Sequence, residues 1–164
     1  MIGWKSGYET MAEPFGTNGF TTRRVFAAAR ERVWREWTEP ERFADWFGGT
    51  ACEVPLETVA MDVRPGGAWR ATMVCQPGRG EIRWTGEYRE VMPPVRLVFT
   101  ISDQPGDDRY ELVTVQLTDL GDGRTEMHLE QRGHQRPDEY DRAERGWGSF
   151  FDRLDERVAT GDQL

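Results

Sequence analysis

Four tryptophans on four different segments, Trp46, Trp69, Trp84 and Trp147, are the residues of this chain best suited to act on another molecule. A tryptophan offers a large flat ring and a single N–H. Several around one hollow would stack an aromatic or hydrophobic ligand in a mostly apolar pocket. Alternation of apolar and polar residues places Met73 on the face of Trp69, Phe99 in a row with Leu97 and Ile101, and Met127 in a row with Leu129. Together with Phe151, these make the candidate ligand-binding set. Large aromatics also fill cores, so simple packing is the competing reading.

Other chemistry is restricted by what the chain contains. The serines Ser6, Ser102 and Ser149 lie in no G-x-S-x-G elbow, and the one lysine, Lys5, precedes the domain, which leaves no amine inside it for a Schiff base. No catalytic residue is therefore assigned. His128 and His134 share a parity opposite to Met127 and Leu129, which puts them on a solvated outer face. No His-x-His or HExxH spacing adds ligands, and neither a metal nor another cofactor is expected. Glu53, Glu87, Glu90, Glu130 and Arg70 read as surface charges on a convex sheet; acid–base chemistry would need one of them buried. Asp62–Gly67 (DVRPGG) reads as a structural turn tied by Asp62 and Arg64, without the strand-to-helix context of a phosphate loop.

The elements that must position these residues are legible from periodicity. Ala143, Trp147, Phe150, Phe151, Leu154 and Val158 form one helical stripe over Asp141–Val158. Before it come a strand at Phe20–Ala28 and a helix at Arg30–Thr38. A second short helix follows to about Phe47, with Thr38 as N-cap, Pro40 in its first turn and Glu41 at the capping-box position. Strands are then predicted at Thr58–Val63, Ala68–Cys75, Glu81–Val91, Arg96–Ser102, Tyr110–Leu120 and Thr125–Gly133. Short Gly- and Pro-rich connections make neighbours pair antiparallel. The fold class is α+β: a curved antiparallel sheet of about six or seven strands around a long C-terminal helix. One helix cannot fill the concavity of such a sheet, and a cavity is expected between the sheet, the long helix and the two short ones.

One domain over 20–160 and a mobile tail over 1–19 fit the 164 residues. A net charge of -8 argues against a nucleic-acid or anionic-membrane surface, and no apolar run approaches a membrane span. Cys52 and Cys75 lack CxxC spacing and no secretory pattern precedes them. Both are read as reduced, Cys75 as a buried inert thiol, in a cytoplasmic protein.

Several stretches in order resemble the Hsp90-ATPase-activator-like (AHSA1-type) branch of the START-like, or SRPBCC, helix-grip superfamily. They are RVFAAARERVWREWTEPERFADWF at 24–47, DVRPGGAWR at 62–70, GEYREVMPPVRLVFT at 86–100, the LGDGRT hairpin within 113–133, and Gly146-Trp147 opening the last helix. The chain departs from that pattern at Ala29, where the family usually has proline. The resemblance implies a β-α-α-β-β-β-β-β-β-α order with an internal pocket. It leaves function open among a binder of a small hydrophobic or aromatic molecule, a module contacting an Hsp90-type chaperone ATPase, and a cyclase-like enzyme or a protein that sequesters a toxic natural product.

Overall fold

Short turns between strands of alternating polarity close one antiparallel sheet, and the computed structural model describes residues 18–75, 78, 80–106 and 109–159 of it and its helices. The order is β1 (Asn18–Phe26), α1 (Arg30–Thr38), α2 (Pro40–Trp46), β2 (Cys52–Glu53), β3 (Ala60–Met61), β4 (Ala68–Cys75), β5 (Gly80–Met92), β6 (Arg96–Ile101), β7 (Glu111–Asp119), β8 (Thr125–Gly133) and α3 (Pro137–Ala159). Among the described residues the sheet has eight strands in the order β1-β8-β7-β6-β5-β4-β2, with the two-residue β3 also on β4. The return of β1 to the far end, against β8, carries α1 and α2 across to the same face as α3.

The sheet bends where β5 passes β6, at a register shift between Tyr88 and Glu90. Regular pairing also lapses between Tyr88, opposite Phe99, and Thr85, bridged to Ser102. In that gap the Trp69 indole N–H donates to the Thr100 carbonyl at 3.0 Å. Gly86 makes room: a Cβ there would lie 1.8 Å from the Thr100 oxygen and 2.2 Å from Trp69 Nε1.

Inside the bend, α3 turns Tyr140, Trp147, Phe151, Leu154 and Val158 inward. Each such side chain contributes about 1.5–3 kcal/mol on burial. They meet the inward rows of β7 (Val113, Val115, Leu117) and β8 (Met127, Leu129), all buried. Polar ties fix the helix at its middle and at its C-terminal end. Arg24 on β1 donates to Asp152 and to the Gly148 carbonyl, at 3.0 and 3.2 Å. At the C-terminal end Glu36, fully buried on α1, receives Arg157 of α3, Arg32 and Arg42.

Several local expectations change. Thr38 does not cap α2: it ends α1, its hydroxyl donating back to the Trp34 carbonyl, and the N-cap position falls to Glu39 without a side-chain cap. Proline at the first helical position is enough to start that short helix. The strand expected at Thr58–Val63 shrinks to Ala60–Met61 because a 3-10 turn occupies Leu56–Thr58. The long helix starts four residues early, at Pro137. The cysteines are joined: β2 lies antiparallel to β4 with Cys52 opposite Cys75, Cα atoms 4.1 Å apart, and a Cys52–Cys75 disulfide closes the pair. Sequence spacing hid this because the register between two distant strands sets it. The tail expected over 1–19 lies outside the described residues, except for Asn18 and Gly19, which open β1. Among the described residues no helix is long and apolar enough to cross a membrane.

Candidate functional site

A cavity of about 650 Å³ lies between the open end of the sheet and the N-terminal half of α3. That volume falls within the range of small-molecule sites. Its apolar wall is Phe47 from the end of α2, Ile82 and Trp84 from β5, Ile101 from β6, and Trp147 and Phe150 from α3. The polar wall is built where β7 and β8 run out. Glu111 opens β7, and Gln131 sits near the end of β8; both keep the inward parity of the rows behind them and both are buried. The expected mostly apolar lining is thus mixed, since the strands' inward positions turn polar at this end.

Glu111, Gln131, Tyr140 and Trp147 form one hydrogen-bonded group. Tyr140 donates its hydroxyl to Glu111 Oε1 at 2.7 Å, Gln131 Nε2 donates to the same oxygen at 3.4 Å, and the His134 backbone N–H donates to Oε2 at 3.1 Å. Trp147 Nε1 donates to Gln131 Oε1 at 2.9 Å. Burial, and after it the hydrogen bond to Glu111, hold the Tyr140 phenol above its ordinary value, which keeps it a donor. Gly133 makes space for this carboxylate: a Cβ there would lie 1.9 Å from Glu111 Oε2. Two lining residues keep a polar atom sealed from solvent without a partner, the Trp84 indole N–H and Gln135 Oε1.

Residues 27–159 match the family model described as "Activator of Hsp90 ATPase homolog 1-like protein". The chain belongs to that family. No curated protein matches the sequence. Among solved structures, the AHSA1 protein from Silicibacter pomeroyi is 24% identical with a TM-score of 0.76, over 88% of this chain and 100% of that one. Protein CV1439 from Chromobacterium violaceum is 24% identical with a TM-score of 0.74, over 85% of this chain and 96% of that one. Protein Ms6760 from Mycobacterium smegmatis is 19% identical with a TM-score of 0.72, over 90% and 95%. At these identities the likeness is one of fold: an AHSA1-like helix-grip domain, as the sequence pattern implies.

Within this AHSA1-like domain the four tryptophans surround a residue outside the candidate set. The Phe47 ring centroid lies 6.2 Å from that of Trp46, 6.1 Å from Trp69, 6.3 Å from Trp84 and 6.0 Å from Trp147. Only Trp84 and Trp147 also line the cavity. Trp46 is fully buried, donating to the Glu36 carbonyl at 2.9 Å. Phe151 stacks on Trp147 with centroids 5.6 Å apart. Met73 and Met127 are buried on β4 and β8. Trp69 and Phe99 border a separate gap of about 10 Å³, the size of one water. His128 is half-buried on β8, whereas His134 is exposed just past that strand and joins the cavity wall instead of an outer sheet face. Among the described residues no cluster of three His, Cys, Asp or Glu suits a metal ion.

Sequence reasoning missed Glu111 and Gln131. The signal was present: the rows Val113, Val115, Leu117 and Met127, Leu129, each continued by two residues, arrive at them.

Proposed function

We propose that this AHSA1-like protein binds a small aromatic or hydrophobic molecule in the cavity between the sheet and α3. The observation that carries the reading is a void of about 650 Å³ walled by Phe47, Trp84, Trp147 and Phe150. Rings on several sides gain contact area from a flat ligand at little cost in their own freedom. Gln131 and Glu111, already ordered by hydrogen bonds, add fixed polar contacts that orient it. The other candidate tryptophans act from behind, by holding Phe47 and the bend of the sheet in place.

Nile red, a neutral dye whose emission brightens in apolar surroundings, tests the proposal. Its emission rises and shifts to the blue with the native protein. The effect is lost in Gly146→Phe, which places a ring on the cavity wall at a glycine whose added Cβ would meet nothing within 4 Å. Equal enhancement by the variant would refute the site. The family's name also raises contact with an Hsp90-type ATPase. A native pull-down that recovers such an ATPase equally with both forms would favour that activity over the cavity.

A further inference from the structure

We infer that the molecule held in the cavity is a cation, an amine on an aromatic or hydrophobic body, with Glu111 as its counter-charge; this rests on the reading of the cavity as a ligand site. Glu111 is 7% exposed. Of the ionisable side chains that line the cavity it alone is buried: Asp103, Arg109, His134 and Arg142 are exposed, and Glu139 is half-buried.

Its partners are all neutral: a phenol, an amide and a backbone N–H. Among the described residues no arginine or histidine side chain comes within the 4.0 Å of an ion pair with Glu111. The other deeply buried carboxylate behaves differently. Glu36 is fully buried and is met by Arg32, Arg42 and Arg157. Placing a carboxylate charge in a buried site that offers only neutral dipoles is costly, and an entering cation relieves that cost.

The carboxylate has room for one more donor. A carboxylate offers about four lone-pair directions, and three donors occupy three of them here. Gln131 links the carboxylate to Trp147, so that an aromatic face belongs to the same group as the charge. An ammonium attracted by Glu111 also gains from the faces of aromatic rings on the wall. Arg142, on the same wall, already faces Asp138 at 3.6 Å. The chain's net charge of -8 favours approach of a cation as well.

Isothermal titration calorimetry with naphthylmethylamine, naphthylmethanol and naphthoic acid, at neutral pH, tests the inference on a constant aromatic body. The amine binds about tenfold or more tightly than the alcohol, a difference of about 1.4 kcal/mol, and the acid binds most weakly. Glu111→Gln removes the preference by weakening the amine more than the alcohol, while Glu139→Gln retains the preference. Equal affinity for amine and alcohol in the native protein would overturn the inference. So would a preference that survives Glu111→Gln or disappears in Glu139→Gln. The comparison in the native protein needs no variant to fold. If none of the three compounds binds, the ligand-site reading falls as well; if all bind without preference for the amine, only the cation assignment falls.

Discussion

Arg157, near the end of α3, donates to both carboxylate oxygens of Glu36 on α1, at 2.7 Å from Nε and 3.1 Å from Nη2. The two residues are 121 positions apart, and Arg32 and Arg42 approach the same carboxylate. Burial alone would lower the guanidinium's pKa. Hydrogen bonding to Glu36, with the charges of Glu36 and Asp45, outweighs it and holds Arg157 above its ordinary value. This cluster pins the far end of α3 to the helices that carry Phe47. The end facing the cavity is held by Tyr140 and Trp147.

Glu36→Gln leaves three guanidinium groups around a neutral amide. Breaking a buried charge cluster from one side costs about 3–5 kcal/mol. The arginines here retain some solvent contact, with 11–20% of their side chains exposed, which favours the lower figure. Chemical denaturation should show a loss of about 3 kcal/mol. Arg157→Lys, which keeps the charge and loses the two-pronged contact, should cost less. A change in Glu36→Gln under half a kcal/mol would show that the cluster does not hold the helices.

Much of the grip was legible beforehand. The aromatic stripe of α3, the antiparallel meander and the two short helices follow from periods of 3.6 and two and from Gly–Pro turns. The cavity's polar end was not. Glu111 and Gln131 look like ordinary polar strand residues until their parity is followed past the last apolar residue. Glu36 likewise shares a face with Val33 and Trp37, a pattern that a search for apolar stripes passes over. Phe47, at the centre of the tryptophans, was visible as an aromatic closing a helix, but its neighbours come from elements far apart in the chain. The Cys52–Cys75 bond needed the register of β2 on β4, which neither sequence segment encodes alone.

The disulfide closes a sequence separation of 23 residues. A loop of this size restricts the unfolded chain enough for about 3 kcal/mol of stabilisation. Thiol titration of the unfolded, unreduced protein should find no free thiol, and a phosphine reductant should lower the denaturation midpoint. Two free thiols in freshly purified protein would contradict the bonded state.

Tyr88 and Tyr140 are both buried, and both phenols sit above the ordinary value. Burial is the first cause for each, followed by the charge of Asp62 for Tyr88 and the hydrogen bond to Glu111 for Tyr140. An acid held more tightly protonated in the folded state contributes stability that is whole below its unfolded pKa, about 10 for tyrosine, and that fades as pH rises towards the raised folded value. Urea midpoints should therefore be level with respect to these groups from neutral pH to about 9 and fall above about 10. Tyr140→Phe should make that alkaline fall shallower. An unchanged slope would remove Tyr140 as a contributor.

Gly133→Ala is a small change in a strand that normally tolerates a methyl. Here the methyl meets Glu111 Oε2 at 1.9 Å and Glu111 Cδ at 2.2 Å, so the carboxylate must leave its three donors. Forced repacking of this kind costs about 1–3 kcal/mol. Binding of naphthylmethylamine should weaken in the folded variant, measured well below its melting temperature. Unchanged stability and affinity would show that Glu111 is not fixed where Gly133 leaves room for it.

The most direct test of the cavity as the binding site is an indole N–H nuclear magnetic resonance titration with naphthylmethylamine. Trp84 and Trp147 line the cavity, whereas Trp46 and Trp69 donate to backbone carbonyls elsewhere, each at 3.0 Å or less. The signals of Trp84 and Trp147 should move together and saturate, with those of Trp46 and Trp69 nearly still. Movement centred on Trp46 and Trp69, or no saturable movement at either cavity tryptophan, would contradict the account.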